Sequence, residues 1–232
     1  MTKAILLDIE GTTTPIDFVH KILFPFAKER IGGFVRKNFD RLSEEIAQLK
    51  AEHASDGFFT GPFDENLPEL VSLYLEHLID IDRKSTPLKS IQGKIWQVGY
   101  ESGALKSQIF DDVPRAFERW KAAEKIISIY SSGSVLAQKN LFKYTDQGDL
   151  TPFISSYFDT NVGGKRDAAS YKKIAALLHA DVENILFVSD VTQELDAAAL
   201  NGFQTALSVR PGNAGMAEDS KHLIITSFDD LR

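Results

Sequence analysis

The sequence of 232 residues predicts an α/β fold with a mostly parallel sheet flanked by helices. Short apolar runs, each followed by polar or turn residues, alternate with helical patterns, which is typical of right-handed βαβ units. The first run, 4–7, is apolar at every position, as in a strand buried on both faces. A long stretch after it, 17–112, shows only helical periodicity, which predicts an inserted helical domain.

The elements follow from these patterns in chain order. The predicted strands are 4–7, 126–130, 184–189, 204–209 and 222–225. The predicted helices between the later strands are 113–123, 135–142, 168–178 and 194–200. Inside 17–112, helical spacing runs through 18–39, 42–53, 67–81 and 88–98. We therefore predict that 1–16 with 113–232 form an α/β core and that 17–112 form a helical cap. One continuous α/β domain with unusually long helical crossovers is the alternative.

Composition excludes several classes of function. The formal charge of −7 argues against nucleic acid as a partner. The absence of cysteine excludes disulfides and thiolate metal sites, and the five histidines lack the spacing of zinc ligands. No apolar run approaches the roughly 20 residues that span a bilayer, and the first strand leaves no room for a signal peptide. We expect a cytoplasmic monomer, or also a nuclear one in a eukaryote, without a nucleic-acid or membrane partner.

Two acids follow the first strand directly. Asp8 and Glu10 are two residues apart, so both carboxylates leave one side of an extended backbone. Gly11 and the threonines after it break the strand and offer flexible backbone N–H groups and hydroxyls. Open α/β sheets bind their ligands at the carboxyl ends of their strands. The pair therefore indicates a functional site, and two solvated acids at a strand end are the alternative.

Hydroxyl groups follow the second predicted strand. Ser131 and Ser132 lie between 126–130 and a helix that begins at Val135. Hydroxyls and free N–H groups at a helix N-terminus bind anions, and the helix dipole favours phosphate there. An ordinary serine N-cap is the alternative. A serine hydrolase is not indicated, because the G-x-S-x-G pattern is absent.

A lysine and a further acid complete the set of candidates. Lys165 follows Gly163-Gly164, where it could neutralise a phosphate or a carboxylate nucleophile; a solvated loop lysine is the alternative. Asp190 ends the predicted strand 184–189. Asp8, Glu10 and Asp190 would supply the sparse oxygen ligands that Mg²⁺ prefers.

These four segments, in this order, resemble the four motifs of the haloacid-dehalogenase superfamily of phosphotransferases. Asp8-Ile9-Glu10-Gly11-Thr12-Thr13-Thr14-Pro15-Ile16 is similar to the first motif of one family within it, the enolase-phosphatases (acireductone synthases) of methionine salvage. Other stretches that resemble this family are Ile22-Leu23-Phe24-Pro25, Asp82-Arg83-Lys84, Gln92-Gly93-x-x-Trp96, Tyr130-Ser131-Ser132-Gly133-Ser134-Val135, Phe158-Asp159-Thr160, Ser189-Asp190-Val191-Thr192 and Val209-Arg210-Pro211-Gly212-Asn213-Ala214-Gly215.

The resemblance implies a HAD-like Rossmannoid core with a helical cap, and one Mg²⁺ per subunit. It implies a phosphorylated diketone substrate, 2,3-diketo-5-methylthiopentyl-1-phosphate, which is enolised and then hydrolysed to the acireductone 1,2-dihydroxy-3-keto-5-methylthiopentene and phosphate. Asp8 would be the nucleophile and Glu10 the acid–base. Ser131, Ser132 and Lys165 would bind the phosphate. The implied metal ligands are Asp8, Asp190 and, through its backbone carbonyl, Glu10.

Several alternatives stay open at this point. Glu10 is one candidate for the enolisation base, and Glu194 would orient either Asp190 or Lys165. Gln92 and Trp96 would either contact substrate or pack inside the cap. The rival functions are a generic Mg²⁺-dependent phosphomonoesterase of the same fold and a non-enzymatic phosphoacceptor domain resembling a response-regulator receiver. The long helical insert argues against the receiver.

Overall fold

The computed structural model describes residues 2–213 and 221–231, and the chain divides into two compact units. One unit comprises Met1–Val19 with Lys106–Arg232, and the other is His20–Leu105. These boundaries differ from the predicted 17 and 112, because backbone hydrogen bonds hold 106–112 in the first unit. Ser107 N–H donates to Tyr144 O at 2.9 Å, and Phe110 N–H donates to Thr13 O at 3.1 Å. The inserted helical domain and its role as a cap stay predictions.

The first unit contains a parallel six-stranded sheet. Its strands are β1 (Ala4–Leu7), β2 (Ile126–Tyr130), β3 (Ser156–Phe158), β4 (Ile185–Ser189), β5 (Gln204–Ser208) and β6 (Leu223–Ile225). Their order, β3-β2-β1-β4-β5-β6, is that of a doubly wound sheet whose strand order reverses at β1. The predicted α/β class is confirmed, whereas β3 was missed because it is a short strand at the edge of the sheet.

The register of the central strands brings the predicted site residues to one edge. Leu7 pairs with Ile129 of β2 on one side and with Val188 of β4 on the other. Asp8, Ser131 and Asp190 follow these strands within a few residues. All of β1 is buried, as its unbroken apolar sequence predicted.

Helices cover the sheet and build the second unit. They are α1 (Ile16–Phe18), α2 (Phe24–Asn38), α3 (Ser43–Ala54), α4 (Pro68–Asp80), α5 (Thr86–Glu101), α6 (Asp112–Ala122), α7 (Val135–Lys143), α8 (Ala168–Leu178) and α9 (Thr192–Ala199). Side chains cap three of them: Ser85 caps α5, Ser134 caps α7 and Asp167 caps α8. No helix in the described part of the chain is both long and apolar enough to cross a membrane.

The predicted helix 18–39 is interrupted by a π-helical turn, Val19–Leu23, between α1 and α2. Pro25 accounts for this turn, because it has no N–H to donate to the carbonyl of Lys21 and its ring would collide with that carbonyl. A wider turn before a proline relieves the collision. The other three predicted helices of the second unit are present as α3, α4 and α5.

Trp96 has a packing role inside the second unit. It is buried in α5, and its indole N–H donates to Leu23 O at 2.9 Å. Its ring stacks on that of Phe24, with the ring centroids 6.3 Å apart. The packing alternative for Trp96 thus explains its position without a substrate.

A buried ion pair joins α6 to the C-terminal segment. Arg210 Nη2 lies 2.8 Å from Asp112 Oδ2, to which the Ser227 hydroxyl and the Phe228 N–H also donate. The guanidinium carbon lies 4.6 Å from the ring centroid of Phe110 and 4.8 Å from that of Phe228. Burial acts to raise the pKa of Asp112, but these donors outweigh burial and the pKa lies below its ordinary value.

Arg210→Ala should lower the free energy of unfolding by about 3–5 kcal/mol, because it leaves a buried carboxylate without its positively charged partner. Urea unfolding at pH 7 measures this loss. The control is Arg115→Ala, which removes an exposed pair with Asp229 and should cost less than about 1 kcal/mol. Equal losses in the two variants would contradict the importance of the buried pair.

The pKa of Asp112 is lower in the folded protein than in the unfolded chain. The Asp112 carboxylate therefore stabilises the fold above its unfolded-state pKa of about 4, and this stabilisation is lost at lower pH.

Candidate active site

The candidate site lies where the strand order reverses. Asp8 follows β1, and its N–H donates to Val188 O of β4 at 3.0 Å. Ser131 follows β2, and its N–H donates to Phe158 O of β3 at 3.1 Å. Asp190 follows β4 directly. Such reversal points form the ligand-binding crevice of open α/β sheets.

Four buried polar groups form a closed ring at this edge. Lys165 Nζ lies 2.7 Å from Asp8 Oδ2 and 2.7 Å from Glu194 Oε2. The Ser189 hydroxyl lies 3.1 Å from the same Asp8 oxygen and 2.9 Å from the same Glu194 oxygen. The other oxygen of Asp8 accepts from the Ile9 N–H at 2.7 Å. Lys165 is therefore not a solvated loop lysine, and Glu194 orients it directly.

The carboxylates at the site outnumber the ammonium group. Burial acts to lower the pKa of Lys165, but the charges of Asp8 and Glu194 outweigh it and raise this pKa. Burial and the charge of Asp8 raise the pKa of Glu194. The same two causes raise the pKa of Asp190 to about 7. Three carboxylates and one ammonium group lie at this edge of the sheet, so the site attracts further positive charge.

Gly11 lets Asp190 lie against the turn that follows Asp8. Its φ is +65°, and a Cβ there would lie 2.4 Å from Asp190 Oδ2 and 2.8 Å from Asn213 Oδ1. The Asn213 amide donates to Gly11 O at 2.9 Å and to Ser208 O at 3.0 Å. A side chain at position 11 would thus displace a candidate metal ligand.

Glu10 lies in a turn that is closed by backbone hydrogen bonds. The N–H groups of Thr12, Thr13 and Thr14 all donate to Ile9 O, and the Gly11 N–H donates to Thr14 O. The three threonines are buried and Glu10 is half-buried. The expectation of flexible N–H groups here was wrong, because the turn uses these donors internally.

Ser131 and Ser132 lie in the turn between β2 and α7. Ser134, and neither of these two serines, caps α7: its side chain accepts from the Ala137 N–H at 3.3 Å. Ser131 is buried and its hydroxyl accepts from the Gly133 N–H at 3.2 Å, while Ser132 is half-buried. The N-cap alternative therefore applies to Ser134 and leaves the anion-binding prediction for the other two in place.

The charge and the oxygen donors at this edge fit a hard divalent cation. Among the described residues no three Asp, Glu, His or Cys side chains form a metal-binding group. Mg²⁺ needs fewer, because it usually retains several waters. Asp8 and Asp190 supply carboxylates, and their mutual repulsion would be relieved by a cation. Asn213 Oδ1, which like Asp190 Oδ2 lies close to Gly11, is buried without a hydrogen-bond partner in the described part of the chain.

Sequence reasoning missed the roles of Ser189 and Asn213. Ser189 was recognised only as part of a family-like stretch, and nothing in that stretch predicts a hydroxyl shared by Asp8 and Glu194. Asn213 precedes two residues of its family-like stretch, Ala214 and Gly215, that lie outside the described residues. The available signals were weak: Ser189 is a polar residue at the last position of β4, and Asn213 is a polar residue in the segment after β5.

The sequence matches known proteins over nearly its whole length. Residues 2–202 match the family model described as haloacid dehalogenase-like hydrolase. "Enolase-phosphatase E1" of Synechococcus elongatus is 52% identical over 98% of this chain and 96% of its own length. "Enolase-phosphatase E1" of Drosophila melanogaster is 43% identical over 95% of this chain and 88% of its own length.

Solved structures agree with this relationship. The UTR4 protein from Saccharomyces cerevisiae has a TM-score of 0.78 and 33% identity, with all of both chains covered. CbbY from Rhodobacter sphaeroides, in complex with phosphate, has a TM-score of 0.62 at 14% identity over 100% of this chain and 96% of its own, which shows a shared fold. The chain belongs to the haloacid dehalogenase-like hydrolases and, among them, to the enolase-phosphatase E1 family.

Proposed function

We propose that the chain is a Mg²⁺-dependent enolase-phosphatase of methionine salvage. Its substrate would be 2,3-diketo-5-methylthiopentyl-1-phosphate, which it would enolise and then hydrolyse to the acireductone and phosphate. The observation that carries the proposal is the ring of Asp8, Lys165, Glu194 and Ser189 at the reversal point of the sheet. The names of relatives at 43–52% identity support the substrate.

Asp8 is the proposed nucleophile. One of its carboxylate oxygens attacks phosphorus, the bond from phosphorus to the ester oxygen breaks, and an aspartyl-phosphate forms. Water then attacks this phosphorus, releases phosphate and restores the Asp8 carboxylate. The covalent intermediate divides one difficult displacement into two easier ones. Hydrogen bonds from Ile9 N–H, Lys165 and Ser189 hold the carboxylate in one orientation.

Glu10 is the proposed acid–base. As an acid it gives its proton to the leaving oxygen, and as a carboxylate it then takes a proton from the attacking water. A well-placed acid–base contributes about 10²–10⁴-fold to the rate. Glu10 follows the proposed nucleophile by two residues and begins the hydrogen-bonded turn described above. It remains one candidate for the enolisation base.

Asp8, Asp190 and the backbone carbonyl of Glu10 would hold Mg²⁺. When bound, the ion neutralises the oxygens of the transferred phosphoryl group. Lys165 would add its positive charge to those oxygens, and Ser131 and Ser132 would donate hydrogen bonds to them. Glu194 keeps Lys165 in place, as the 2.7 Å contact indicates.

The helical unit 20–105 is proposed to exclude water while the diketone is enolised. We propose a cytoplasmic monomer that acts on a small molecule, without a nucleic-acid or membrane partner, in agreement with its charge of −7. A receiver is not favoured, because receivers have the strand order 2-1-3-4-5.

Supplying the diketone phosphate with Mg²⁺ tests the function. Wild-type enzyme should produce the ultraviolet absorbance of the enol first and free phosphate afterwards. Asp8→Asn should release no phosphate, because an amide is not a nucleophile here, whereas Asp40→Asn at an exposed position should match wild type. Release of phosphate from simple esters without enol formation would replace this proposal with a generic phosphomonoesterase.

Asp190→Asn tests the metal site. We expect the Mg²⁺ concentration for half-maximal activity to rise about tenfold or more, with a smaller change in the KM for substrate, because a charged ligand becomes neutral. Calorimetric titration with Mg²⁺ in the absence of substrate should show the same weakening. An unchanged magnesium titration would give Asp190 a structural role instead.

A further inference from the structure

The loop that carries Lys165 is held by three hydroxyl groups. The Tyr130 hydroxyl donates to Gly163 O at 2.9 Å, the Ser170 hydroxyl to Gly164 O at 2.9 Å, and the Tyr171 hydroxyl to Lys165 O at 2.6 Å. Three consecutive carbonyls thus each accept from a different side chain. The three side chains belong to β2 and α8, so the core of the first unit fixes the backbone of the loop.

These donors are themselves immobilised by the core. Tyr130, Ser170 and Tyr171 have no exposed surface. The rings of the two tyrosines meet edge to face with centroids 5.7 Å apart, and the Tyr171 ring lies 5.2 Å from that of Phe187 in β4. Burial raises the pKa of both phenols, so they remain protonated donors.

Gly163 allows this arrangement. Its φ is +139°, and a Cβ at this position would lie 2.1 Å from Ser170 Oγ. Any larger residue would force apart the loop and the start of α8. The close approach of loop and helix is therefore built into the sequence Gly163-Gly164-Lys165.

The need of a buried tyrosine hydroxyl for a hydrogen-bond partner does not by itself explain the contacts of Tyr130 and Tyr171. The Tyr157 hydroxyl is also buried and has no hydrogen-bond partner among the described residues. Tyr171 differs from Tyr157 in that it donates to the carbonyl of Lys165, whose ammonium reaches Asp8 and Glu194. Tyr130 donates to the carbonyl of Gly163, two residues earlier in the same loop. Because the lysine side chain is flexible, the position of its ammonium group depends on where the backbone of the residue is held.

We propose that Tyr130, Ser170 and Tyr171 are positioning residues, which hold the backbone of 163–165 so that Lys165 Nζ lies between Asp8 and Glu194. Lys165 is then held at both ends: hydroxyl groups bind the backbone of its loop, and two carboxylates bind its ammonium group. Small displacements of groups that position the reaction cost large factors in rate. This inference rests on the proposed function of Lys165 as a phosphate ligand.

Tyrosine-to-phenylalanine substitutions test the inference, because they remove the hydroxyl and keep the ring. Tyr130→Phe, Tyr171→Phe and Ser170→Ala are compared with Tyr157→Phe, which removes a buried hydroxyl without a partner in residues 2–213 and 221–231. The readouts are the dissociation constant of inorganic phosphate in the presence of Mg²⁺, kcat and KM for a phosphomonoester, and the thermal midpoint. Each substitution is also made in the Lys165→Ala background.

We expect Tyr130→Phe and Tyr171→Phe to weaken phosphate binding roughly threefold to tenfold, the effect of one lost hydrogen bond, and to lower kcat. Tyr157→Phe should change neither value by more than about twofold. With Lys165→Ala present, the tyrosine substitutions should have no further effect, since they act through Lys165.

Two results would overturn the inference. One is that all three phenylalanine variants behave alike. The other is that the tyrosine effects persist in the Lys165→Ala background, because the hydroxyls would then act on the fold and not through the lysine. Ser170→Ala supplies the same test if a tyrosine variant fails to fold. Absence of turnover by wild type would instead overturn the proposed function, and phosphate binding would still test the positioning.

Discussion

The site depends on placing one ammonium between two buried carboxylates. Removing charges from water is costly unless opposite charges and hydrogen bonds replace the lost solvation. Asp8 comes from the end of β1, Glu194 from the start of α9, and Lys165 from the loop before α8. Each of these elements must be in place before the charges can balance. The parallel sheet, its reversal at β1 and the hydroxyls behind the loop all serve this requirement.

The same balance explains why the site suits phosphoryl transfer. One lysine does not neutralise Asp8, Glu194 and Asp190, and the excess negative charge is suited to a divalent cation. Cation and lysine together would place positive charge where the phosphoryl oxygens gain negative charge. Gly11 contributes through its missing side chain, since a Cβ there would meet Asp190. One short turn thus follows the proposed nucleophile, Asp8, and leaves room for the candidate metal ligand, Asp190.

Most of the sheet could be predicted from apolar runs bounded by polar residues, because strands that are buried on both faces are apolar at nearly every position. The short edge strand β3 escaped prediction, since its three residues, Ser156–Phe158, carry too little periodicity. Asp8, Lys165 and Asp190 were predictable as candidates from their positions after strands or in a glycine-rich loop. The sequence left their partners open: Lys165 could neutralise a phosphate or a carboxylate nucleophile, and Glu194 could orient Asp190 or Lys165. Only the fold decides between these partners and brings Ser189 to Asp8 and Glu194. The contacts of Tyr130 and Tyr171 could not be predicted either. In the sequence, a core tyrosine whose hydroxyl positions a loop cannot be distinguished from one whose hydroxyl does not.

The protonation of Lys165 tests the account most directly. Nuclear magnetic resonance of lysine labelled at Cε can follow its titration in the protein without added Mg²⁺. The account predicts a pKa above the ordinary lysine value, because Asp8 and Glu194 outweigh burial. Glu194→Gln should then lower this pKa, since one of the two stabilising charges is lost. A Lys165 that titrates below the ordinary value, or that is unaffected by Glu194→Gln, would contradict the account.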